Sequence, residues 1–174
     1  MSTLFIDESK TRDYVVVAAV VLPADAAAYR ASINTFRMKG QRRIHFTTER
    51  PERRRKILST LTELGVHAQV YRASFPRERD SRAACLRAVV QDVARLGVDR
   101  IVLEQDDSIV QADRQLLFTE LRRIGMPHVT YAHERATAEP LLAIPDALAW
   151  CVAKGADWSR RAEPMIGPVR ELRA

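Results

Sequence analysis

Apolar residues along the chain fall into five short runs with the length and composition of β-strands. The longest run, "YVVVAAVVL" at residues 14–22, is apolar without interruption, which is typical of a strand covered on both faces. Only the polar turn "KTRD" separates it from the preceding run, so the two are predicted to pair as an antiparallel hairpin. The predicted strands are residues 2–8, 14–22, 66–74, 99–105 and 128–134.

Five other segments have the spacing of apolar residues, or the terminating residues, that indicate helices. Pro23 and Pro145 lie at the predicted starts of two of them, where a proline is tolerated. A threonine is predicted to cap the second helix, and glycines end several of the others. The predicted helices are residues 23–37, 47–65, 79–97, 111–125 and 144–155. The segment "RRIHF" is predicted to be extended, and the polar, proline-containing residues 157–174 give no clear prediction.

The order of these elements matches one known architecture. When the two helices at about residues 23–65 are set aside as an insertion, the order is β-β-β-α-β-α-β-α, which is that of the RNase H-like fold. In that fold three antiparallel strands are followed by two parallel ones, and right-handed crossovers place the first strand beside the fourth. We therefore expect a single α/β domain over residues 1–174, with an RNase H-like mixed five-stranded sheet flanked by helices.

The composition is that of an ordinary globular protein, with 47% apolar and 29% charged residues among 174. No apolar run approaches the roughly 18 residues that span a bilayer, and the N-terminus lacks a signal-peptide pattern. A cytoplasmic protein without a membrane partner is therefore expected. Cys85 and Cys151 lie far apart within apolar helical patterns, which favours two buried thiols over a disulfide or a zinc site. The oligomeric state stays open.

The chain is basic, with a formal net charge of +6 and a pI of about 9.8. Such a charge favours a polyanionic partner, of which nucleic acid is the commonest. Almost all of the positive charge is arginine, whose planar guanidinium suits phosphate. A GC-rich genome produces the same arginine bias without any function, and the sequence does not separate the two explanations.

Three carboxylates stand at the ends of predicted elements. Asp7 ends the first strand, Glu104 ends the fourth, and Asp146 lies in the first turn of the last helix. If strands one and four are parallel neighbours, the first two side chains emerge at the same sheet edge, and a helix packed over that edge adds the third. Unpaired carboxylates repel one another unless a cation is bound, and oxygen ligands suit Mg²⁺ or Mn²⁺. A pair of such metals can activate water and stabilise the leaving oxygen in phosphodiester cleavage.

Each carboxylate also has an explanation that involves no function. Asp7 and Glu8 could form a solvated strand end beside Lys10. Glu104 could belong to the polar turn "EQDDS", and Asp146 suits the first turn of a helix because of the macrodipole. The combination of three acids at element ends, in an order that matches one fold, favours a metal site.

These motifs resemble those of a known family. The segments "FIDES", "VLEQDD" with the following "ADRQ", and "EPLLAIPDALAW" are similar to motifs of the domain-of-unknown-function family 3800. The resemblance covers most of the chain in element order and implies an RNase H-like nuclease. It also implies that Asp7, Glu8, Glu104 and Asp146 are the active-site acids. The chain departs from the family pattern at Lys10, where many members have glycine.

A second departure lies in the middle of the chain, where Arg43 stands two residues before His45 and many family members have an acid. His45 is a candidate to contact the scissile phosphate or to transfer protons near neutral pH, although it could equally pack at the end of a short strand. Glu49 is a candidate to complete the metal shell. The fourth metal ligand stays open.

Arginines are the candidates for substrate binding. The segment "ERPERRRK" spreads positive charge around more than one face of its predicted helix, which fits either phosphate binding or a solvated face. We expect Arg43, Arg50, Arg54 and Arg114 to line the approach to the acids. Aromatic residues are too few and too scattered in the sequence to predict a platform on which bases stack.

The sequence thus favours a divalent-metal-dependent nuclease or phosphodiesterase that acts on nucleic acid through a carboxylate cluster. A PIN- or NYN-like nuclease is the enzymatic alternative, but its parallel sheet disagrees with the predicted N-terminal hairpin. The alternative without catalysis is an RNase H-like module that binds nucleic acid or protein and has lost its chemistry. Whether the substrate is DNA or RNA, and whether cleavage is internal or from an end, stays open.

Overall fold

The computed structural model describes residues 2–173, and within them one mixed sheet is formed by six strands. The strands are β1 (Thr3–Lys10), β2 (Tyr14–Val21), β3 (His67–Ser74), β4 (Arg100–Glu104), β5 (Thr130–Glu134) and β6 (Ile166–Arg173). Their order across the sheet is β5-β4-β1-β2-β3-β6.

The centre of the sheet is formed by β1, which pairs with β2 in an antiparallel hairpin and with β4 in parallel. Ile6 of β1 lies opposite Leu103 of β4, so the two strands reach the same edge of the sheet in register. On the far side of β4, β5 continues the parallel arrangement. The predicted hairpin and the predicted pairing of the first and fourth strands are both confirmed.

Helices cover both faces of the sheet. They are α1 (Pro23–Thr35), α2 (Pro51–Glu63), α3 (Glu78–Leu96), α4 (Val110–Arg123), α5 (Ala143–Lys154) and α6 (Ala156–Ala162). One hydrophobic core packs α1, α2, α5 and α6 against one face, and a second core packs α3 and α4 against the other. Three short 3₁₀ helices complete the described chain, at Phe46–Thr48, Pro140–Leu142 and Glu163–Met165. None of the helices in residues 2–173 is long and apolar enough to cross a membrane.

Side chains of the central strands alternate between the two cores. Phe5 and Val17 belong to the core that contains α5, whereas Ile6 and Val16 belong to the core that contains α3. Both faces of these strands are therefore covered, which explains the uninterrupted apolar run of β2. Because the alternation continues to the end of β1, consecutive residues there open onto opposite faces of the sheet.

The sixth strand is absent from the sequence prediction, so the predicted five-stranded sheet is wrong in its strand count. β6 pairs in parallel with β3 at the edge of the sheet and is only partly buried along its length. Its sequence, "IGPVRELR", has no apolar alternation, and glycine and proline, both disfavoured in strands, follow its first residue. Gly167 and Pro168 are tolerated there because an edge strand does not need every backbone N–H for pairing.

Two helix starts also differ from the prediction. α2 begins at Pro51 with Arg50 as its N-cap, and the threonine expected to cap it lies in the separate 3₁₀ helix Phe46–Thr48. α5 begins at Ala143, so Pro145 lies inside the first turn, where the missing N–H breaks no helical hydrogen bond. In both cases a proline marks the first turn correctly, but the residue that begins the helix is set by neighbouring structure.

The segment "RRIHF" does not join the sheet. His45 has an extended backbone, as expected, but the chain then enters the 3₁₀ helix Phe46–Thr48. This 3₁₀ helix contacts α5, and the backbone N–H of Phe46 donates to Asp146 at the start of that helix. The segment is therefore attached to the same end of the sheet as the predicted acids.

Both cysteines are buried and unpaired, as predicted. Cys85 belongs to the core beside α3, and Cys151 belongs to the core beside α5. Burial raises the pKa of each thiol to about 12. Neither residue therefore has the thiolate character that a cysteine nucleophile requires.

Candidate active site at the end of the central strand

A pocket of about 310 Å³ opens beside the C-terminal half of β1. Four residues predicted to be catalytic, Asp7, Glu104, Asp146 and His45, lie around it. The complete lining is Asp7, Glu8, Ser9, Lys10, His45, Thr47, Glu104, Asp146 and Trp150. Residues from four separate parts of the chain thus meet in one depression.

The sheet and α5 together explain why the three acids meet. Asp7 and Glu104 follow the paired residues Ile6 and Leu103 of two parallel strands, so their side chains leave the sheet next to each other. Because side chains alternate between the two faces along a strand, both acids lie on the face that α5 covers. α5 packs against β1, and Asp146 in its first turn is directed towards the ends of the two strands.

Asp146 is held in this position by two contacts. Its Oδ2 accepts a hydrogen bond from the backbone N–H of Phe46 at 2.8 Å, and it lies 3.5 Å from Nδ1 of His45. The side chain is only 14% exposed. One turn further along α5, Trp150 packs edge-on against Phe46, with ring centroids 5.3 Å apart. Asp146 therefore points into the pocket, whereas a side chain that only caps the helix at the surface would point towards solvent.

The electrostatics of the pocket centre on Asp7. Burial raises the pKa of Asp7 well above its ordinary value, and repulsion from Asp146, Glu104 and Glu8 raises it further. Its carboxylate accepts a 2.8 Å hydrogen bond from the backbone N–H of Glu8, which opposes that rise. Within residues 2–173 no lysine or arginine forms an ion pair with Asp7. No cationic side chain of the described residues thus offsets the charge that Asp7 carries when it ionises.

Among Asp7, Glu104 and Asp146, Glu104 is the acid that is paired with an arginine. Its Oε1 forms an ion pair with Nη1 of Arg43, and the other terminal nitrogen of Arg43 lies 3.2 Å from Nδ1 of His45. Arg43 therefore lies within the cluster, between a carboxylate and the imidazole, and does not merely line an approach to it. A hydrogen bond to Asp146 raises the pKa of His45 above its ordinary value, against the opposing effects of burial and of Arg43.

Glu8, which the family resemblance adds to the acids, faces the other side of the sheet from Asp7. Its carboxylate lies 2.6 Å from Nη1 of Arg82 and 3.9 Å from Nζ of Lys10. The alternation of side chains along β1 explains this direction. Glu8 contributes to the rim of the pocket, but its charge is already paired, and we leave it out of the proposed metal ligands.

Glu49, the other candidate for the metal shell, does not line the pocket. Its side chain is 3% exposed, and Arg53 donates to one of its oxygens at 2.6 Å. The other oxygen accepts from the side-chain amide of Gln41, also at 2.6 Å. Both oxygens therefore tie the first turn of α2 to the preceding loop, so Glu49 is also left out of the ligand set.

The remaining arginine candidates lie in different places. Arg54 belongs to α2 and donates to the backbone oxygens of Phe46 and Thr47, beside the pocket. Arg50 is exposed at the N-cap of α2. Arg114 is exposed on α4, which packs on the opposite face of the sheet from the pocket. Of the four arginines predicted to bind substrate, Arg43 and Arg54 thus lie beside the pocket, and Arg114 lies on the other face of the sheet.

An aromatic cluster beside the pocket is absent from the sequence prediction. Phe46, Trp150 and Trp158 pack edge-on in a row, with centroid separations of 5.3 and 5.4 Å. Trp150 could have been anticipated because it lies one helical turn from Asp146. Trp158 belongs to the segment that gave no clear prediction, and only the tertiary structure brings it to the others.

Carboxylate oxygens are the donors that Mg²⁺ and Mn²⁺ prefer, and the unneutralised charge at Asp7 fits a cation. Within residues 2–173, however, no three histidine, cysteine or acidic side chains are arranged as a ready-made metal site. The contacts of Glu104 with Arg43 and of Asp146 with Phe46 account for this, because they turn the two carboxylates towards protein donors. The carboxylate oxygens fit a divalent cation, provided that Glu104 gives up its ion pair with Arg43 to bind the cation.

Comparison with known proteins identifies the fold. No family model matches the chain, and a search of curated proteins also gave no match. Among solved structures, the chain is similar to RNase HII in the complex of PCNA and RNase HII from Archaeoglobus fulgidus. The TM-score is 0.58 at 16% sequence identity, and the alignment covers 94% of this chain and 75% of the other. The chain has an RNase H-like α/β fold, as the element order predicted.

Proposed function

We propose that the protein is a divalent-metal-dependent phosphodiesterase that cleaves nucleic acid, with Asp7, Glu104 and Asp146 as the metal ligands. The observation that carries this proposal is the convergence of three carboxylates in one pocket, with Asp7 left without a cationic partner in the described chain. Structural carboxylates in protein interiors are normally paired, so a cluster that contains an unpaired carboxylate supports a site that receives a cation. The RNase H-like fold of the chain supports the same reaction class.

A bound Mg²⁺ or Mn²⁺ would supply activation of water and stabilisation of the leaving oxygen. The chain itself contributes the placement of the ligands. Asp7 is fixed by the central strand and by the N–H of Glu8, while Asp146 is fixed by the N–H of Phe46. Neither carboxylate has to move far to face the pocket, which reduces the entropy lost when substrate binds.

Arg43 has the position of an exchangeable partner. In the absence of substrate its guanidinium neutralises Glu104. If Glu104 turns to a cation, the guanidinium fork is released beside His45, where it can bind a phosphate oxygen of the substrate. The ion pair is only partly exposed, with side-chain exposures of 30% and 26%, so this exchange occurs at the mouth of the pocket.

His45 is suited to hold a proton near the scissile phosphate. Its contact with Asp146 favours the imidazolium form and raises its pKa. An imidazolium can donate a hydrogen bond to a phosphate oxygen or a proton to the departing oxygen. We assign His45 this role, with Asp146 as the residue that orients it.

The motifs also support membership of the domain-of-unknown-function family 3800, which we include in the proposal. Nucleic acid as the partner and a cytoplasmic location belong to the proposal as well. The second candidate function, an inactive module that binds nucleic acid, is favoured by one specific observation. The Arg43–Glu104 ion pair leaves fewer free carboxylates than a preformed metal centre has.

A cleavage assay separates the two candidates. End-labelled single-stranded DNA, single-stranded RNA, duplex DNA and an RNA–DNA hybrid are incubated with the protein and either Mg²⁺, Mn²⁺ or EDTA. The proposal predicts metal-dependent cleavage by the wild-type protein and by Glu134→Gln, and none by Asp7→Asn. Glu134 is a matched control because it ends β5 on the same sheet but does not line the pocket. Binding without cleavage in every condition would favour the inactive module.

A further inference from the structure

Both tryptophans of the chain lie on one surface beside the acidic pocket. Trp150 lines the pocket, and Trp158 of the short helix α6 packs edge-on against it with a centroid distance of 5.4 Å. Both rings are only partly buried. Trp150 and Trp158 therefore form a partly exposed aromatic surface that begins at the pocket and runs towards α6.

Two arginines of α2 extend over this surface. The guanidinium of Arg54 lies 4.1 Å above the ring of Trp150, and that of Arg55 lies 5.8 Å from the ring of Trp158. Within residues 2–173 neither arginine forms an ion pair, unlike Arg53, which is bound to Glu49. Two arginines without an ion pair thus lie beside aromatic rings, next to the pocket that we propose cleaves phosphodiester bonds.

Arg54 is held rigidly, with part of its donor capacity unused. Its Nε and Nη2 donate to the backbone oxygens of Phe46 and Thr47 at 2.9 and 2.6 Å. Nη1 has no such partner in the described part of the chain. These contacts alone would give Arg54 a structural role, because they attach α2 to the 3₁₀ helix Phe46–Thr48. They do not explain Arg55, which is exposed and makes no hydrogen bond within residues 2–173.

A groove continues from this surface between α2 and α6. It encloses about 340 Å³, and its lining includes Arg55 at one side and Arg161 at the other, together with Ser59, Thr62 and Glu63. Arg161 shares its charge with Asp157, 2.7 Å away on an exposed turn. The groove thus offers arginines and hydroxyl groups, which suit a phosphate, together with two acids, Glu63 in its lining and Asp157 beside Arg161.

We propose that the surface formed by Arg54, Arg55, Trp150 and Trp158, together with the groove between α2 and α6, binds a single strand of nucleic acid. The nucleotides next to the scissile bond stack on the tryptophans and arginine planes, and a phosphate of the following nucleotide lies in the groove. The statement that the bound strand leads into the pocket rests on the proposed function. The chemistry is that of single-strand binding sites, which combine a cationic groove with aromatic rings and read little sequence.

The tryptophans make the proposal directly testable, because the whole tryptophan emission comes from this surface. The full-length protein is titrated in EDTA with a single-stranded DNA oligonucleotide and with RNA of the same sequence. Tryptophan emission and the anisotropy of an end label on the oligonucleotide are followed in parallel. The EDTA removes any dependence on metal and cleavage. We expect saturable quenching whose midpoint agrees with the anisotropy change.

Two variants locate the binding surface. Arg55→Gln should raise Kd several-fold and lower the slope of log K against log salt by about one. Trp158→Leu should raise Kd roughly tenfold, as expected for the loss of one stacked base. Arg122→Gln is the matched control because Arg122 is an exposed arginine stacked 4.3 Å over Phe118, on the other face of the sheet. It should bind like the wild type. Arg55 is exposed, so its variant folds even if Trp158→Leu does not.

Three results would overturn the inference: no oligonucleotide binding by the wild type, equal effects of Arg55→Gln and Arg122→Gln, or binding of a duplex as tight as that of the single strand. The outcome is separate from that of the cleavage assay. If no substrate is cleaved but Arg55→Gln weakens binding, the proposed function fails and the binding surface stands. If cleavage occurs and Arg55→Gln binds like the wild type, the proposed function stands and the binding surface fails.

Discussion

Asp7 and Glu8 are neighbours on the same strand, yet their surroundings differ in almost every respect. Glu8 faces the α3 side of the sheet, where Arg82 lies 2.6 Å from its carboxylate. Asp7 faces the α5 side, where the negative charges of Asp146 and Glu104 repel its own. The negative charge of Glu8 is therefore paired with a cation and that of Asp7 is not, although one peptide bond separates the two residues.

The Glu8 side is a hydrogen-bonded polar network. Arg82 is 7% exposed, and it donates to both oxygens of Asp113 at 2.9 and 2.7 Å and to the hydroxyl of Tyr14 at 3.0 Å. Nε2 of His133 lies 3.0 Å from the same carboxylate of Asp113. Burial by itself raises the pKa of Asp113, but its hydrogen bonds with Arg82 and His133 hold that pKa below the usual range.

This comparison separates two uses of acidic residues in one fold. Acids whose charges and hydrogen bonds are satisfied within the protein stabilise the structure, and removing a partner unbalances them. Acids that repel one another at a pocket make the fold less stable until a cation arrives. The two regions should therefore respond in opposite ways to substitution, to pH and to divalent metal.

The largest expected effect is the loss of Arg82. Arg82→Met leaves the buried Asp113 with only His133 as a partner and Glu8 with only Lys10, 3.9 Å away, which should lower the free energy of unfolding by about 3–5 kcal/mol. Arg87→Met on the same helix is the control, because its side chain is 53% exposed and its ion pair with Glu120 should contribute about 1 kcal/mol or less. Urea unfolding followed by circular dichroism measures both. Equal losses in the two variants would mean that the buried network has no special structural role.

Asp7→Asn should change the free energy of unfolding in the opposite direction. Removing the charge relieves burial and repulsion at once, so the metal-free variant should be more stable than the wild type at neutral pH, by on the order of 1 kcal/mol. Asparagine keeps an oxygen that can accept from the N–H of Glu8, so this contact is retained. The same urea titration in EDTA measures the change. A variant clearly less stable than the wild type would show that the Asp7 charge is already stabilised by the protein.

The difference in the free energy of unfolding between Asp7→Asn and the wild type should also depend on pH. The pKa of Asp7 is raised above its ordinary value of 3.8 in the folded state, so the folded protein holds this proton more tightly than the unfolded chain. The resulting stabilisation is complete below the unfolded pKa and is lost as pH rises through the folded pKa. Asp7→Asn lacks this loss, so its advantage over the wild type should grow with pH across that interval. A gap that stays constant with pH would contradict the raised pKa.

The smallest expected effect concerns His45. Its pKa is raised above 6.5 by the hydrogen bond to Asp146, so the imidazolium stabilises the fold below pH 6.5 and this contribution is lost as pH rises through the folded pKa. Asp146→Asn should move the pKa of His45 back downwards, as measured by NMR of the imidazole signals. Stability should change by only about 0.5 kcal/mol, since asparagine can still accept from Phe46. An unchanged pKa would show that Asp146 does not act on His45.

Sequence patterns were sufficient to predict the arrangement of the three acids. The hairpin, the parallel pairing of the first and fourth strands and the helix that begins near Pro145 all have strong local signals, and the fold follows from their order. The separation of Asp7 from Glu8 was also predictable, because alternation along a strand places neighbours on opposite faces. The family resemblance placed both acids among the active-site acids and so hid this distinction.

Other features depend on contacts between distant parts of the chain. Neither the Arg43–Glu104 ion pair nor the Arg82–Glu8 pair has a local sequence signal, because tertiary packing selects each partner among many arginines. The aromatic surface escaped prediction for the same reason. β6 escaped because an exposed edge strand needs no apolar alternation, and its sequence reads as a polar loop.

The central claim is that the unmatched charge at Asp7 receives a divalent cation, and binding of Mn²⁺ tests it most directly. Free Mn²⁺ is measured by electron paramagnetic resonance while each protein is titrated at neutral pH without nucleic acid. We predict that the wild type and Glu134→Gln bind at least one Mn²⁺ ion, and that Asp7→Asn and Asp146→Asn bind none. A wild-type protein that leaves millimolar Mn²⁺ entirely free, or an Asp7→Asn variant that binds Mn²⁺ like the wild type, would contradict the account.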